Sequence, residues 1–394
     1  MMPADTVPAR RLTVLDAVAF AGMFVFGIVM ALLGAVMPVL SERLGLGLGD
    51  VGTLFLVTNA GMLVASLLVG PATDRFGMKA PLALGAMLVA VALVGISRAA
   101  GLGALLPAVV CLGAGGGALN ATTNTLVADL HDDPAAKGSA LNLLGVFFGF
   151  GALILPFAIG ALLSKVGLGG LLLAAAGLSV ATALAAIGLR FPAPKQAHGL
   201  PLAEMRRFVR MPLVLIFAFL LFFESGNEFL LGGYFATFLA RELAVPLAQA
   251  SYLLAAYWSA IMVSRLMLSR ALVHVGAQWA VLGGALLAAA GALVVAAAHT
   301  TPVAMAGILL TGLALAGIFP TVLGVAGAAF REHSGTVFGI LFTVALTGGM
   351  TMPWLAGHLA ESAGLRPVFL LAAVNFCAVA VLNLAARDER GAPR

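Results

Sequence analysis

Two glutamates lie four residues apart in the apolar segment FFESGNEFLLGGYFATFL. This spacing places Glu224 and Glu228 on one face of a helix. An ionised side chain at the centre of a bilayer costs about 2.5 to 3.5 kcal/mol on insertion scales. Two such groups on one face need a partner, a cavity or a cation. We therefore predict that Glu228, together with Glu224, binds and releases a coupling ion.

Three glycines, Gly226, Gly232 and Gly233, follow the first glutamate along the same segment. They predict an interrupted helix whose free backbone carbonyls could coordinate an ion. A sodium ion therefore stands as an alternative to a proton, and we expect no resident cofactor or metal. A different interpretation stays open, in which either glutamate pairs structurally with Arg265 or caps the end of a broken helix.

Amide and aromatic side chains occur in several other apolar segments. Aromatic rings can stack on a sugar ring while amides bind its hydroxyl groups. Each residue taken singly could equally serve helix packing or lie at the membrane interface. As a group, we predict that the following side chains bind a solute: Asn120, Asn124, Asn142, Asn227, Tyr257 and Trp354.

The elements that carry these residues are long enough to cross a membrane. The chain has 394 residues, 62% hydrophobic and only 9% charged, with a mean hydropathy of +1.11. An ordinary soluble domain carries about 25% charged residues, and a helix needs about 20 apolar residues to cross a bilayer. The apolar segments are residues 15–40, 51–72, 80–97, 102–127, 139–163, 168–189, 213–240, 249–267, 278–298, 303–330, 336–360 and 368–386.

These segments predict an all-α membrane protein of twelve transmembrane helices in two six-helix halves. The longest polar connection, from Arg190 to Pro212, separates the halves. We expect an N-terminal half at residues 1–189, a cytoplasmic linker at 190–212 and a C-terminal half at 213–394. The halves also resemble each other in sequence, since GPATDRFGMKAPLA aligns without gaps with SRALVHVGAQWAVL. Such repeats predict pseudosymmetry about an axis along the membrane normal.

Basic residues are distributed unevenly between the two sides of these helices. Only five of the 21 Lys and Arg residues fall on the side opposite to the termini. Short loops rich in Lys and Arg stay in the cytoplasm. We therefore expect both termini and the linker to be cytoplasmic, and the net charge of +5 to reflect this topology rather than a nucleic-acid partner.

The loop after the second span contains Gly70, Asp74, Arg75, Gly77 and Lys79 with the spacing G-x-x-x-D-R-x-G-x-K. This pattern resembles the signature loop of the major facilitator superfamily. We expect the first glycine to allow close helix approach, the second to allow a tight turn, and the aspartate to accept hydrogen bonds at a neighbouring helix end. The resemblance implies that fold and assigns the five residues to a conformational latch.

Further segments resemble the fucose-proton symporter-like branch of the superfamily, which includes sugar-proton and sugar-sodium symporters. They are NATTNTLV, LNLLGVFFGFGALILP, GIFPT and GTVFGILFTVALTGGMTMPWLAG. The sequence also departs from the branch. The first span has no acid beyond Asp16, Asn120 replaces the expected acid of the fourth, and the apolar residues 144–148 replace the amides of the fifth.

The resemblance implies a secondary transporter of the bacterial inner membrane that works by alternating access. We expect symport of a sugar or similar polar metabolite with a proton or sodium ion, by a monomer surrounded by lipid. The alternative is a proton-coupled exporter of an amphipathic compound, which the apolar residues 144–148 favour.

Other classes of protein find little support in the sequence. An intramembrane enzyme or a receptor would need a nucleophile with its base, a metal site or a large ligand-binding domain, and we expect none of them. The glycine runs lie inside apolar spans, where close helix packing explains them. His131, Asp132 and Asp133 form a polar cluster that we interpret as a solvated loop.

Overall fold

The computed structural model describes residues 13–131, 133–192 and 206–391, and every regular element in these ranges is a helix. A continuous helical stretch, Pro134–Gly188, bends at Gly167, where φ is 68° and ψ is 167°, and so comprises α5 (134–166) and α6 (168–188). The other helices are α1 (Val14–Leu44), α2 (Leu48–Phe76), α3 (Lys79–Arg98), α4 (Leu102–Leu130), α7 (Pro212–Glu242), α8 (Leu247–Val275), α9 (Ala277–Ala297), α10 (Thr301–Leu315), α11 (Ile318–Ala329), α12 (Ser334–Ala363) and α13 (Arg366–Gly391).

Eleven helical stretches in the described chain are long and apolar enough to cross a membrane. One of them is the bent stretch, which supplies two spans, so the total is the predicted twelve. The tenth span is itself divided into α10 and α11 around Ala316 and Gly317. The predicted all-helical fold is confirmed.

The predicted signature loop is mostly helical. Helix α2 continues through Gly70 to Phe76, so only Gly77 and Met78 separate it from α3. Gly77 has a φ of 76°, a conformation that favours glycine, and the predicted tight turn is present. Pro71 lies inside α2 but does not end it, because in a membrane neighbouring groups can satisfy the freed carbonyl.

The first six spans pack mainly on one another, and the last six do the same. In the first set α1 lies against α5, and α3 lies against α4 and against the bent stretch Pro134–Gly188. In the second set α7 lies against α12 and α13. The two sets meet along α2 with α12, α5 with α8, and α1 with α7. Residues at the centre of the molecule therefore come from both ends of the chain.

Glycines make the contacts between the sets very close at one end. A Cβ on Gly34 of α1 would meet the carbonyl oxygen of Gly232 on α7, and one on Gly52 of α2 would lie 2.9 Å from the carbonyl oxygen of Trp354 on α12. A Cβ on Gly160 of α5 would lie 2.9 Å from the ring of Tyr252 on α8. All three pairs lie toward the side of the membrane opposite to Thr13 and Met211, the residues that precede α1 and α7.

At the opposite end, five glycines show no such approach between the two sets. Gly70, Gly138, Gly145, Gly335 and Gly339 have no heavy atom within 4 Å of where a Cβ would stand. Gly145 lies on the same face of α5 as Gly149, which abuts Met262 of α8 deeper in the protein. The structure is therefore open on the side of the termini and closed on the other.

Candidate functional site

Helix α7 is the element that positions the two glutamates, and it is buried on all sides over residues 224–239. It contacts α1, α8, α12 and α13. Its apolar residues on every face let it pack against all of these neighbours, since a helix that is hydrophobic all round is buried. Glu224 is 1% exposed and Glu228 7% exposed.

The predicted interruption of this helix is wrong, because α7 is helical from Pro212 to Glu242. Its glycines serve close packing instead. A Cβ on Gly226 would lie 2.5 Å from Met352, one on Gly232 would lie 3.0 Å from Trp258, and one on Gly233 would lie 2.5 Å from Phe55. Backbone carbonyls within a continuous helix accept its own hydrogen bonds and are not free to bind an ion.

Glu228 has an arginine partner on the next helix. Nη2 of Arg265 lies 3.4 Å from Oε1 of Glu228, and the two side chains are 33% and 10% exposed. Nε of Arg265 also donates to the carbonyl oxygen of Ala316, at 3.3 Å, where α10 gives way to α11. Its guanidinium carbon lies 5.8 Å from the ring centre of Phe148 on α5. Arg265 therefore contacts three elements, one of them in the first set of helices.

Glu224 has no such partner. Both of its carboxyl oxygens are buried and neither has a hydrogen-bond partner in the described chain. Glu224 lies one helical turn before Glu228 on α7, and Tyr257 lies on α8, the helix that also carries Arg265. The hydroxyl of Tyr257 is also buried without a partner. The two glutamates therefore have different environments, one paired with an arginine and the other left without compensation.

Asn227 lies between the two glutamates in sequence, but its amide is directed to α13. Its Nδ2 donates to the carbonyl oxygen of Ala372 at 3.0 Å, and its Oδ1 accepts from Nδ2 of Asn375 at 2.9 Å. Asn375 also lies 3.3 Å from the sulfur of Met352. This buried network joins α7, α12 and α13 beside the glutamates.

The amides of the first set of helices lie nearer the opening. On α4, Nδ2 of Asn124 donates to the backbone carbonyl and the side-chain oxygen of Asn120, at 2.9 and 3.0 Å, and both residues are half-buried. Asn142 on α5 is exposed. It is three residues from Gly145 and seven from Gly149, so it shares their face toward the second set of helices.

The two predicted aromatic ligands lie apart. Tyr257 is fully buried and packs edge-on against Phe235 and Trp258, with ring centres 5.0 and 5.4 Å apart. Trp354 is 39% exposed and its ring centre is 4.6 Å from that of His358. The structure places Trp354 beside the closed contact between α2 and α12, away from the glutamates.

The residues predicted to form a latch lie at the open side. Gly70 has open space next to it, so the expected close approach is absent in this conformation. Arg75 is exposed and lies over the ring of Phe76 at 5.2 Å, and Lys79 begins α3. The side chain of Asp74 lies outside those that the structure describes.

The interpretation of His131 as part of a solvated loop is wrong. Its Nε2 lies 2.9 Å from Oδ1 of Asp16, and both side chains are buried. Asp16 also accepts from the backbone and hydroxyl of Thr13, at 2.8 Å each, and so caps α1. This pair joins the first turn of α1 to the end of α4. Asp133 caps α5, and Asp132 lies outside the described residues.

Sequence reasoning missed Asp16 with His131, and it also missed Asn375. A lone asparagine in the last apolar segment gives no spacing signal, because its partner is 148 residues away in sequence. The sequence allows Arg265 to pair with either glutamate, and in the structure its partner is Glu228.

A profile of the Major Facilitator Superfamily matches residues 19–226 and 217–394, which together cover most of the chain. The chain belongs to the major facilitator superfamily. As a member of this superfamily it is a transporter and not an enzyme. The superfamily fold that the sequence predicts is confirmed, with the twelve spans of the described helices in the expected order.

Relatives within the superfamily include transporters of sugars. A glucose/galactose transporter of Brucella abortus biovar 1 (strain 9-941) is 27% identical over 166 residues, which are 42% of this chain and 40% of the relative. The protein of Brucella abortus strain 2308 with the same description matches equally well. The chain thus aligns with less than half the length of these two relatives.

Solved structures of superfamily members share the fold of this transporter at low sequence identity. The nucleoside transporter NupG has a TM-score of 0.80 at 14% identity, covering 95% of this chain and 100% of that one. A D-xylose-proton symporter has a TM-score of 0.79 at 14% identity, covering 95% and 96%. The fucose:proton symporter FucP of E. coli has a TM-score of 0.67 at 18% identity, covering 94% and 98%. These likenesses show that the fold is shared.

Proposed function

We propose that this protein imports a sugar or a similarly polar small solute by symport with a proton or a sodium ion, through alternating access. The observation that carries the coupling is Glu224, a buried carboxyl with no partner, next to the paired carboxyl of Glu228. A buried carboxylate without compensation is unfavourable. Binding of a proton or cation removes this penalty, and that requirement can link ion binding to the transport cycle.

Two separate observations support a sugar as the solute. The curated relatives are glucose/galactose transporters, and two of the structural neighbours are sugar-proton symporters. Asn120, Asn124 and Asn142 place amides along the open side, where they can bind hydroxyl groups. We keep Tyr257, whose hydroxyl is free, as a solute ligand. Asn227 and Trp354 have contacts elsewhere in this conformation, so their part in binding would require a rearrangement when solute enters.

The distribution of Lys and Arg supports a cytoplasmic location for the termini, for the linker at 190–212 and for the opening. Most of the linker, residues 193–205, lies outside the described residues. In this arrangement the described conformation faces the cytoplasm, and the two halves rock about the site as in other repeat-built transporters. We place the protein in a bacterial inner membrane, as a monomer.

In the sequence, the apolar residues 144–148 favour the alternative function, export of an amphipathic compound. Leu144 and Phe148 are buried, Phe148 packs on Phe26 with ring centres 5.5 Å apart, and Phe147 stacks on Phe20 at 5.0 Å. These side chains fill the contact between α1 and α5. Their position reduces the support for an apolar cargo, and the direction of flux tests the two candidates directly.

The test is transport by the purified protein in proteoliposomes. D-glucose, D-galactose, D-xylose and L-fucose are offered under an inward proton gradient, and separately under an inward sodium gradient. We expect gradient-driven accumulation of at least one sugar. Glu224→Gln and Glu228→Gln should abolish accumulation, while Glu224→Gln should retain exchange of sugar across the membrane without a gradient. Glu42→Gln, an exposed acid at the far end of α1, is the control and should transport normally.

Two results would overturn this proposal. Accumulation that persists in both glutamine variants would remove the glutamates from coupling. Proton-driven efflux of an amphipathic dye, without accumulation of any of the four sugars, would establish the exporter instead.

A further inference from the structure

The buried charges around α7 are unbalanced. Glu224 and Glu228 bring two carboxylates, and Arg265 brings one guanidinium, which lies against Glu228. Helices α10 and α11 contain no charged residue, and the charged residues of α1, α5, α12 and α13 lie within two turns of a helix end. On α8, Arg270 and His274 follow Arg265 in sequence, and their side chains lie outside those that the structure describes. Among the described residues, one carboxyl therefore lacks compensation.

The size of this imbalance sets the charge of what can bind there. Leaving an ion uncompensated in a protein interior costs several kcal/mol. One proton on Glu224, or one monovalent cation beside it, makes the set neutral. A divalent cation, or a second monovalent one, would replace the uncompensated negative charge by an uncompensated positive charge of the same size. The charge count therefore favours one monovalent cation.

Arg265 determines that count, because it neutralises Glu228 and leaves only Glu224 free. It is also the group through which cation binding at Glu224 can affect the open side of the molecule. Its side chain is one-third exposed, it donates to the carbonyl oxygen of Ala316 between α10 and α11, and it lies over the ring of Phe148 in the first set of helices. A change in the charge next to Glu228 alters the balance of forces on an arginine that bridges both sets of helices.

We infer that Glu224 forms the binding site for a single monovalent cation, a proton or an alkali ion, and that Arg265 is the positioning residue that limits the site to one cation. This inference deepens the proposed function and rests on it for the role of the cation in transport. The chemistry common to both ions is a single positive charge beside a carboxyl.

The experiment measures cation binding without any sugar. Melting temperature is recorded for the purified protein in detergent, from pH 5.5 to 8.5 without sodium in one arm. The other arm varies sodium chloride against choline chloride at pH 7.5. A ligand that binds the folded state raises the melting temperature by mass action, and the order of the dependence gives the number of ions bound. The arm that responds identifies the ion.

For the wild-type protein we expect the melting temperature to depend on the proton or the sodium concentration, in one of the two arms, with an order of about one. Glu224→Gln should abolish this dependence. Arg265→Gln frees the second carboxyl, so the dependence should approach second order. The double variant Glu228→Gln/Arg265→Gln restores the charge count and should return to first order. Arg265→Lys keeps the charge and should remain first order, which also covers the case in which Arg265→Gln does not fold. A purely structural role for Arg265 would lower stability without changing the order.

Three results would overturn the inference. They are a first-order dependence that survives Glu224→Gln, a folded Arg265→Gln variant whose dependence stays first order, and a double variant with no dependence. Failure of the proposed function looks different. If the wild-type protein binds one cation through Glu224 but accumulates no sugar, the sugar symport is refuted and the cation site is retained. If it accumulates sugar without this cation binding, the cation site is refuted and the sugar symport is retained.

Discussion

Individual polar atoms are the sharpest indicators of function in this protein, because the interior offers them so few partners. Buried polar groups in native proteins are nearly always hydrogen-bonded. Tyr234 follows this rule, since its hydroxyl donates to the carbonyl oxygen of Pro353 at 3.0 Å. Tyr257 is equally buried and breaks it. The hydroxyl of Tyr257 therefore contributes no hydrogen bond to the stability of this conformation and is free to bind a solute.

The two tyrosines provide a matched comparison. Tyr257→Phe removes a hydroxyl that has no partner, so we expect an unchanged or slightly higher melting temperature and weaker sugar uptake. Tyr234→Phe removes one buried hydrogen bond to the carbonyl of Pro353, which should cost about 1 kcal/mol. Thermal unfolding in detergent and sugar uptake in proteoliposomes measure the two effects. A loss of stability in Tyr257→Phe as large as in Tyr234→Phe would show that the free hydroxyl has a structural role.

At the scale of elements, glycines decide how the helices bend and approach. In α7 they permit tight packing and leave the helix continuous, whereas at Gly167 a single residue divides α5 from α6. Its φ of 68° and ψ of 167° lie in a region that only glycine adopts readily. A glycine inside an apolar segment can therefore either allow close helix packing or mark a bend, and the residues that pack around it determine which of the two occurs.

The bend can be tested with two neighbouring substitutions. Neither Gly167 nor Gly169 has an atom within 4 Å of a new Cβ, so no steric clash enters the comparison. Gly167→Ala should cost about 1 to 3 kcal/mol because of its backbone conformation. Gly169→Ala, within the helical part of α6, should be neutral or slightly stabilising. Melting temperatures of the two variants decide the question, and equal values would contradict a conformational role for the bend.

At the scale of the whole molecule, the glycine contacts determine which side is closed. Gly34 against Gly232 and Gly52 against Trp354 require backbones in contact on the side away from the termini. On the other side Gly145 faces open space. Alternating access requires that the first kind of contact open while the second kind forms. A bulky side chain at either position should therefore bias the conformational equilibrium, in opposite directions.

Cysteine labelling can detect this bias. The reporter is Ser66→Cys on α2, two turns along the same face from Asn59, in a background carrying Cys111→Ser and Cys377→Ser. In the Gly34→Leu variant the larger side chain prevents the contact between α1 and α7 on the side away from the termini. The conformation that is open on the side of the termini is then disfavoured, so labelling by a hydrophilic maleimide should fall severalfold. Gly145→Leu hinders closure of the open side, so labelling should stay high even when sugar and cation are added. If the two variants changed labelling in the same direction, the glycine contacts would not control access.

Much of this architecture was accessible from sequence, for a reason that is local. A bilayer requires about 20 apolar residues per helix and the two glutamates four residues apart had to share a helix face, so twelve spans and a buried acidic pair could be predicted. The continuity of α7 could not, because it depends on Gly34, Phe55 and Trp258, which occupy the space beside its glycines. Nor could the burial of His131, whose partner Asp16 is 115 residues away.

The sequence by itself determined the membrane fold, the position of the acidic pair and the membership of the transporter family, since these depend on composition, helical spacing and a short motif. Only the tertiary structure decided that Arg265 lies on Glu228 and that Glu224 is left without a partner. It also decided which side of the molecule is open. These facts depend on which side chains meet across separate helices, and the spacing of residues along one helix carries no information about that.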